Sequence, residues 1–292
     1  MCGIADGTVF GAFIEKYVLL YNHGRDAGGT DIVKHGGEEL PVISIITVSY
    51  NSINNLRISL GLLKKQDYPF IESIIIDGCS TDGSREYIER FAREFVYESD
   101  DISHSCKWIS EKDSGLYDAI NKGIDMASGD IIGCYWDMYE TDHVISDMVD
   151  IILSENTDGV HGDLLYVDEN GKTVRKWKTG QGNIRHGWMP GHPTLYLKSE
   201  IYEKYGHYNT EYRISADFEF MVRCLKDGDV KLSYIPHVLI RMFYGGTSNN
   251  GLAAYMDSTK EAYLALKSNH VKPAGWIVFL RILKTIMQFQ MK

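Results

Sequence analysis

Four aspartates stand where the chain turns from apolar to polar. Asp77 follows Ile74-Ile75-Ile76, and Asp137 closes the apolar run that begins at Ile131. Asp113 lies just ahead of Gly115-Leu116-Tyr117, between Glu111 and Asp118, and Asp217 precedes Phe218, Met221, Val222 and Leu225. An ionised carboxylate accepts hydrogen bonds from a nucleobase or ribose, offers hard oxygen to Mg²⁺ or Mn²⁺, and takes a proton from a hydroxyl. It also caps helices. Asp77 and Asp217 admit that plainer role, with Asp82 the better cap beside Asp77. Asp113 or Ser114 suits the start of a helix carrying Tyr117, Asn121 and Lys122. A capped helix start and an anion-facing one share a geometry. Lys122 is suited to a phosphate or to plain solvation, and His192 to a donor role or a structural one. Glu219, two residues beyond Asp217 and facing another way on a helix, is a weaker candidate for the base and a candidate substrate contact. Gly245 and Gly246 permit a close approach to a ligand or a tight turn.

These groups need elements to position them. Val42–Val48 is a β-branched run of buried-strand type that ends at Ser49-Tyr50-Asn51. The pattern predicts a helix over 54–65, broken at Tyr68-Pro69, a second strand over 71–76, and a helix from Ser84 through Phe91. This strand–helix order is a βαβ unit and predicts a parallel sheet with its ligand at the strands' carboxyl ends. Ser49, Asn51 and Asp77 fall on that edge. Further on, the pattern predicts a helix through Ile124 and a strand over 131–136. An antiparallel pair over 159–167 and 173–178 follows, joined at Glu169-Asn170-Gly171, and then a helix over 217–226 and a short strand through Tyr234. No Gly-x-Gly-x-x-Gly follows the first strand and no Walker-type Gly-Lys-Ser occurs, so dinucleotide redox chemistry and P-loop phosphoryl transfer lack their signatures.

The 292 residues carry a formal charge of −10, which argues against a nucleic-acid partner. Five scattered cysteines form no Cys-x-x-Cys pair and read as reduced thiols of a cytoplasmic protein. No secretory leader or membrane span is expected. Met1-Cys2-Gly3 could begin an N-terminal-nucleophile domain, but the stretch before Pro41 is too short for one. It reads instead as a helix near Phe10–Leu20 and a Gly-rich loop to Leu40.

The segments SIITVSYN, IIDGCSTDGS, SEKDSGLYDAINKGI, SGDIIG and SADFEFMVR, in this order between Pro41 and Ser248, resemble the family 2 inverting glycosyltransferases. The resemblance implies an α/β GT-A fold with a mostly parallel central sheet flanked by helices. Its catalytic domain would span 41–250, between helical extensions at 1–40 and 251–292. It also implies a nucleotide-sugar donor, UDP-linked in the first instance, a Mn²⁺ or Mg²⁺ cofactor, and transfer with inversion to a saccharide or lipid-linked acceptor, typically in bacterial surface polysaccharide assembly. By the same resemblance Asp77 and Asp113 contact the nucleotide and Asp217 is the base. His192 lines the acceptor side, and the loop at Gly245-Gly246 closes over the diphosphate. The metal motif departs from the pattern. Where two acids are expected, Cys134-Tyr135-Trp136-Asp137 supplies one, so Asp137 is the expected ligand, with Glu140 or Asp142 as helpers or helix caps. That departure keeps open a non-catalytic protein that binds nucleotide sugar or a partner transferase. A nucleotidyltransferase would instead show a Gly-rich basic loop after the first strand. After Tyr263, basic residues among Trp276, Phe279, Leu283, Ile286 and Met287 suit either a helix lying on anionic lipid or one packed on the domain.

Overall fold

The structure, a computed structural model, describes residues 34–35, 38–99, 102–135, 137–168, 172–243 and 251–290. The expected N-terminal helix, Trp136, the 169–171 turn and the Gly245-Gly246 loop lie outside them. Instead of a plain loop before Leu40, Lys34–His35 (β1) pairs with Glu38–Glu39 (β2).

The main sheet begins with β3 (Ile43–Ser49) and β4 (Phe70–Asp77), joined by helix α1 (Ile53–Leu63). Helix α2 (Ser84–Phe95) then leads to β5 (Tyr97–Glu98) and β6 (Ser103–Ser110), and α3 (Leu116–Met126) to β7 (Ile131–Cys134). After β8 (Met138–Tyr139) come α4 (Val144–Glu155), β9 (Gly159–Val167) and β10 (Thr173–Trp177). The remainder is β11 (Tyr196–Lys198), α5 (Ser199–Tyr205), α6 (Ala216–Leu225), β12 (Leu232–Phe243), α7 (Gly251–Ser268) and α8 (Ala274–Gln290). Strand order is β5-β6-β4-β3-β7-β11-β9-β12-β8, with β10 also on β9. The strands β6, β4, β3, β7, β9 and β12 share one direction, and β5, β11, β8 and β10 oppose it.

Alternation along the strands explains the unbroken apolar runs. Ile74 and Ile76 enter the core beneath α3, α6, α7 and α8, whereas Ile71 and Ile75 enter the one beneath α1, α2 and α4. A sheet covered on both faces needs apolar residues at consecutive positions. Two elements differ from expectation. The strand expected to end at Tyr234 continues to Phe243, with irregular pairing around Pro236, whose missing N–H is tolerated there. The strand expected to reach Trp136 ends at Cys134. The four described cysteines are free thiols. Among the described residues no helix is long and apolar enough to cross a membrane.

Candidate active site at the carboxyl edge of the sheet

Parallel pairing sets Ser49, Asp77 and Ser110 side by side at the ends of β3, β4 and β6. Cys134 lies opposite Ile46, three residues short of Ser49, so Asp137, three residues past Cys134, belongs to the same edge. Asp77 is fully buried and is fixed through one oxygen. Oδ2 accepts hydrogen bonds from Ser80 N (3.0 Å) and Ser110 Oγ (2.6 Å), while Oδ1 and the nearby Ser49 Oγ are buried without partners. Such orphans cost free energy until a donor meets them.

The loop after β4 is braced against the loop after β3. Asn51, with φ at 47°, accepts from Thr81 N at 2.8 Å, and its own N–H donates to Ser80 Oγ. Asp82 binds Ser84 N and Oγ through one oxygen and Ile53 N through the other, so one carboxylate serves the starts of both α2 and α1. That is the cap expected of Asp82. Gly78 keeps the centre open: a Cβ there would stand 2.7 Å from Asp113 Oδ2 and 3.2 Å from the Tyr50 ring.

Asp113 does not cap α3 in the expected way. Its Oδ1 takes the N–H of Gly115 in the preceding turn, and Asp118 takes Ser114 N. Lys122 folds back onto Glu111 (2.8 Å) and the Lys112 carbonyl (2.8 Å), and the Glu111 bond raises its pKa. In this arrangement Lys122 braces the Asp113 loop.

Helix α3 joins this edge to Asp217. Four residues beyond Asp113, the Tyr117 hydroxyl lies 2.9 Å from the Ile214 carbonyl and 3.1 Å from Asp217 Oδ1, which also accepts from Phe218 N. Burial, then the charge of Asp217, raise the Tyr117 pKa, so the phenol stays protonated and donates. Among the described residues Asp217 Oδ2 makes no hydrogen bond. The backbone before Asp217 is held from α7, where Glu261 accepts from Arg213, Ile214 and Ser215 N–H groups at 3.1, 2.9 and 2.8 Å. Nothing local in sequence announces Glu261, which acts 46 to 48 residues away.

His192 is buried behind this wall, with Nε2 2.8 Å from the Tyr208 hydroxyl. Burial lowers its pKa and favours the neutral ring, against the opposing pull of the Asp217 charge. Asn121 clasps the backbone of Tyr208, and Tyr208 stacks on Tyr117. His192 thus sits one residue removed from Tyr117. Glu219 is corrected as a substrate contact: it is buried, paired with Arg223 (2.9 Å), and accepts from Asn269 (3.0 Å), so it ties α6 to the turn after α7.

Asp137 is the strained carboxylate. Burial pushes its pKa up to about 7, opposed by the backbone N–H of Phe243, and its Oδ2 is buried without a partner. Glu140 is engaged by Arg241 and Asp142 is exposed. Neither caps α4, whose first residue follows His143. Among the described residues no three His, Cys, Asp or Glu side chains gather as a metal cage. The donor set fits a divalent cation held by one hard protein oxygen, the remaining ligands being substrate oxygens and water. A groove of about 570 Å³ lined by Arg57, Ser80, Thr81, Arg85, Tyr87 and Arg90 touches none of the four aspartates, so polar geometry locates the site and cavity size does not.

Residues 44–214 match the family model described as Glycosyl transferase family 2. The PGL/p-HBAD biosynthesis glycosyltransferase of Mycobacterium bovis (strain BCG / Pasteur 1173P2) is 27% identical over 214 residues, covering 72% of this chain and 80% of its own length. The putative teichuronic acid biosynthesis glycosyltransferase TuaG of Bacillus subtilis (strain 168) is 34% identical over 89 residues, 30% of this chain and 32% of TuaG. S. aureus TarS 1-349 in complex with UDP-GlcNAc superposes with a TM-score of 0.60 at 14% identity, over 84% of this chain and 73% of that one. Mannosyltransferase PcManGT from Pyrobaculum calidifontis, in complex with GDP-Man and Mn²⁺, gives 0.55 at 14% identity, over 98% and 85%. The fold is of the GT-A type, as the motifs implied. With more than half of its length matched by the family model, the chain belongs to glycosyl transferase family 2 and is a glycosyltransferase.

Proposed function

We propose that the chain is an inverting hexosyl- or N-acetylhexosaminyltransferase. It takes sugar from a nucleotide-diphosphate donor, in the first instance UDP-linked, and passes it to a saccharide or lipid-linked saccharide in bacterial surface polysaccharide assembly. The observation that carries this reading is the short step from Asp113, in the loop ahead of α3 and beside Gly78, to Tyr117, in the first turn of α3 and beside Asp217. Donor pocket and base are thereby set at a fixed separation.

Asp77 Oδ1 and Ser49 Oγ await hydrogen bonds from the nucleoside, with Asp113 and the Asn51 loop beside them. The acceptor oxygen forms a bond to the anomeric carbon as the bond to the diphosphate oxygen breaks, and that electron pair leaves with the nucleoside diphosphate. The hydroxyl proton passes to Asp217 Oδ2, because Oδ1 is already occupied by Tyr117 and Phe218 N. His192 supports the acceptor side through Tyr208. Asp137 would hold Mn²⁺ or Mg²⁺, which when bound offsets charge on the diphosphate. Gly245 and Gly246 retain the role of a loop over the diphosphate. The apolar outer face of α8 (Trp276, Phe279, Leu283, Ile286, Met287) supports peripheral seating on anionic lipid at the cytoplasmic face, in keeping with a lipid-linked acceptor.

Thermal shift and donor hydrolysis with UDP-, GDP- and dTDP-sugars, with and without Mn²⁺, test the reading. One nucleotide–metal pair should stabilise wild type, fail on Asp137→Ala, and be hydrolysed slowly. Binding without hydrolysis or transfer to any acceptor would favour the non-catalytic reading, to which the single acid of the metal motif lends support. Absence of binding by every donor would end the proposal.

A further inference from the structure

The last helix is apolar toward solvent as well as toward the core, which Ile277 and Val278 enter. The solvent side of α8 is apolar, at Trp276, Phe279, Leu283, Ile286 and Met287, while Arg281 and Gln288 lie partly buried on its inner side. Gln288 accepts from Arg175 of β10. The Arg281 guanidinium stacks 4.5 Å from the centre of the Phe218 ring, the residue that follows Asp217. Its helix is seated firmly at this point. Gly187, with φ at +67°, brings its backbone against α8, and a Cβ there would stand 2.6 Å from Arg281 N and 2.9 Å from Leu280 Cβ.

A guanidinium placed in this way normally has a carboxylate in contact. Among the described residues Arg281 has no ion pair and no hydrogen bond from its side chain. Asp217, Tyr255 and Tyr117 act on it only through charge, while Arg175 repels it. Stacking fixes the plane of the guanidinium and leaves its N–H edges available for a planar, bidentate acceptor such as phosphate. Two arginines held close together in a chain of net charge −10, beside a base and with one of them unpaired, have the character of an anion site.

We propose that Arg281, brought against Phe218 beside Asp217 by the C-terminal helix, is an anion-binding residue of the active site that takes a phosphate of the substrate. The inference rests on the transferase reading above and adds a residue that lies outside the family-matched segment 44–214. The phosphate belongs to the donor diphosphate or to a phosphate-bearing acceptor, and the chemistry of recognition is the same for both.

The test compares wild type, Arg281→Gln and Arg281→Lys, each checked by its melting curve. UDP and uridine are titrated by calorimetry, and KM is measured for acceptors with and without a phosphate. If the donor supplies the phosphate, Arg281→Gln weakens UDP about tenfold to a hundredfold, leaves uridine unchanged, and is partly rescued by Arg281→Lys. If the acceptor supplies it, UDP is unaffected and KM rises by a similar factor for the phosphate-bearing acceptor alone. Equal losses for UDP and uridine, or no change for any ligand, would overturn the inference and leave Arg281 a stacking residue. Wild type that binds no nucleoside diphosphate would overturn the transferase reading itself, a result distinct from wild type and variant binding alike.

Discussion

Asp77 and Asp217 are held in place by segments of very different reach. Asp77 is held by residues of its own and the adjacent strand ends, Ser80 and Ser110, within the family-matched segment. Asp217 is held by Tyr117, 100 residues earlier, and its approach is held by Glu261 of α7, with Arg281 of α8 stacked next to it. The proposed donor wall is therefore built by a βαβ edge, whereas the proposed base is positioned with the help of the C-terminal helices. Perturbing the first should change nucleotide affinity, and perturbing the second should change transfer.

The largest effect is expected at Asp137. Its folded pKa of about 7 lies above a free carboxyl near 4, so between those values the folded protein keeps a proton the unfolded chain has lost. Stability therefore falls as pH rises from about 4 to about 7 and levels off above that. Asp137→Asn should be more stable than wild type by up to about 4 kcal/mol at pH 8 and nearly equal to it at pH 4. Urea melts at the two pH values measure this. Mn²⁺ with nucleotide should then stabilise wild type at pH 8 and leave the variant unmoved. A variant less stable than wild type at pH 8 would remove the strained carboxylate from the donor wall.

Next in size is Asp77→Ala. Losing its acceptor oxygens should weaken nucleotide binding by about a hundredfold and lower the melting temperature, since Ser80 N and Ser110 Oγ lose their partner. Nucleotide affinity equal to wild type, measured by calorimetry, would move the donor elsewhere. Gly78→Ala should cost about tenfold in nucleotide affinity with little change in kcat, because the new methyl displaces Asp113. The smallest effect is expected from Glu219→Gln. A loss of about 1 kcal/mol in stability, with the acceptor KM unchanged, fits a residue tied to Arg223 and Asn269. A rise in acceptor KM alone would return Glu219 to the substrate.

The placement of the proposed donor wall is legible in the sequence because strand ends follow apolar runs, and Asp77, Asn51 and Asp82 each lie within or beside such an end. β6 was not foreseen. Its residues are half exposed and mixed in polarity, and β4 supplies the pairing that makes them a strand. Ser110, at its end, was missed as a partner of Asp77 for the same reason. Lys122 and Glu219 carried the right chemistry, but their charges are met by Glu111 and Arg223, which only the fold reveals. Glu261 and Arg281 reach the base from helices far along the chain, and no local spacing encodes such contacts.

The most direct test of the division between the walls is Asp217→Asn, followed by nucleotide-sugar titration and single-turnover transfer on the same preparation. The amide keeps the Tyr117 and Phe218 contacts available and removes the proton acceptor. Donor affinity should stay within about twofold of wild type, while the transfer rate falls about a hundredfold to ten-thousandfold. Transfer at the wild-type rate, or a matching loss of donor affinity, would contradict the assignment of Asp217 as the base.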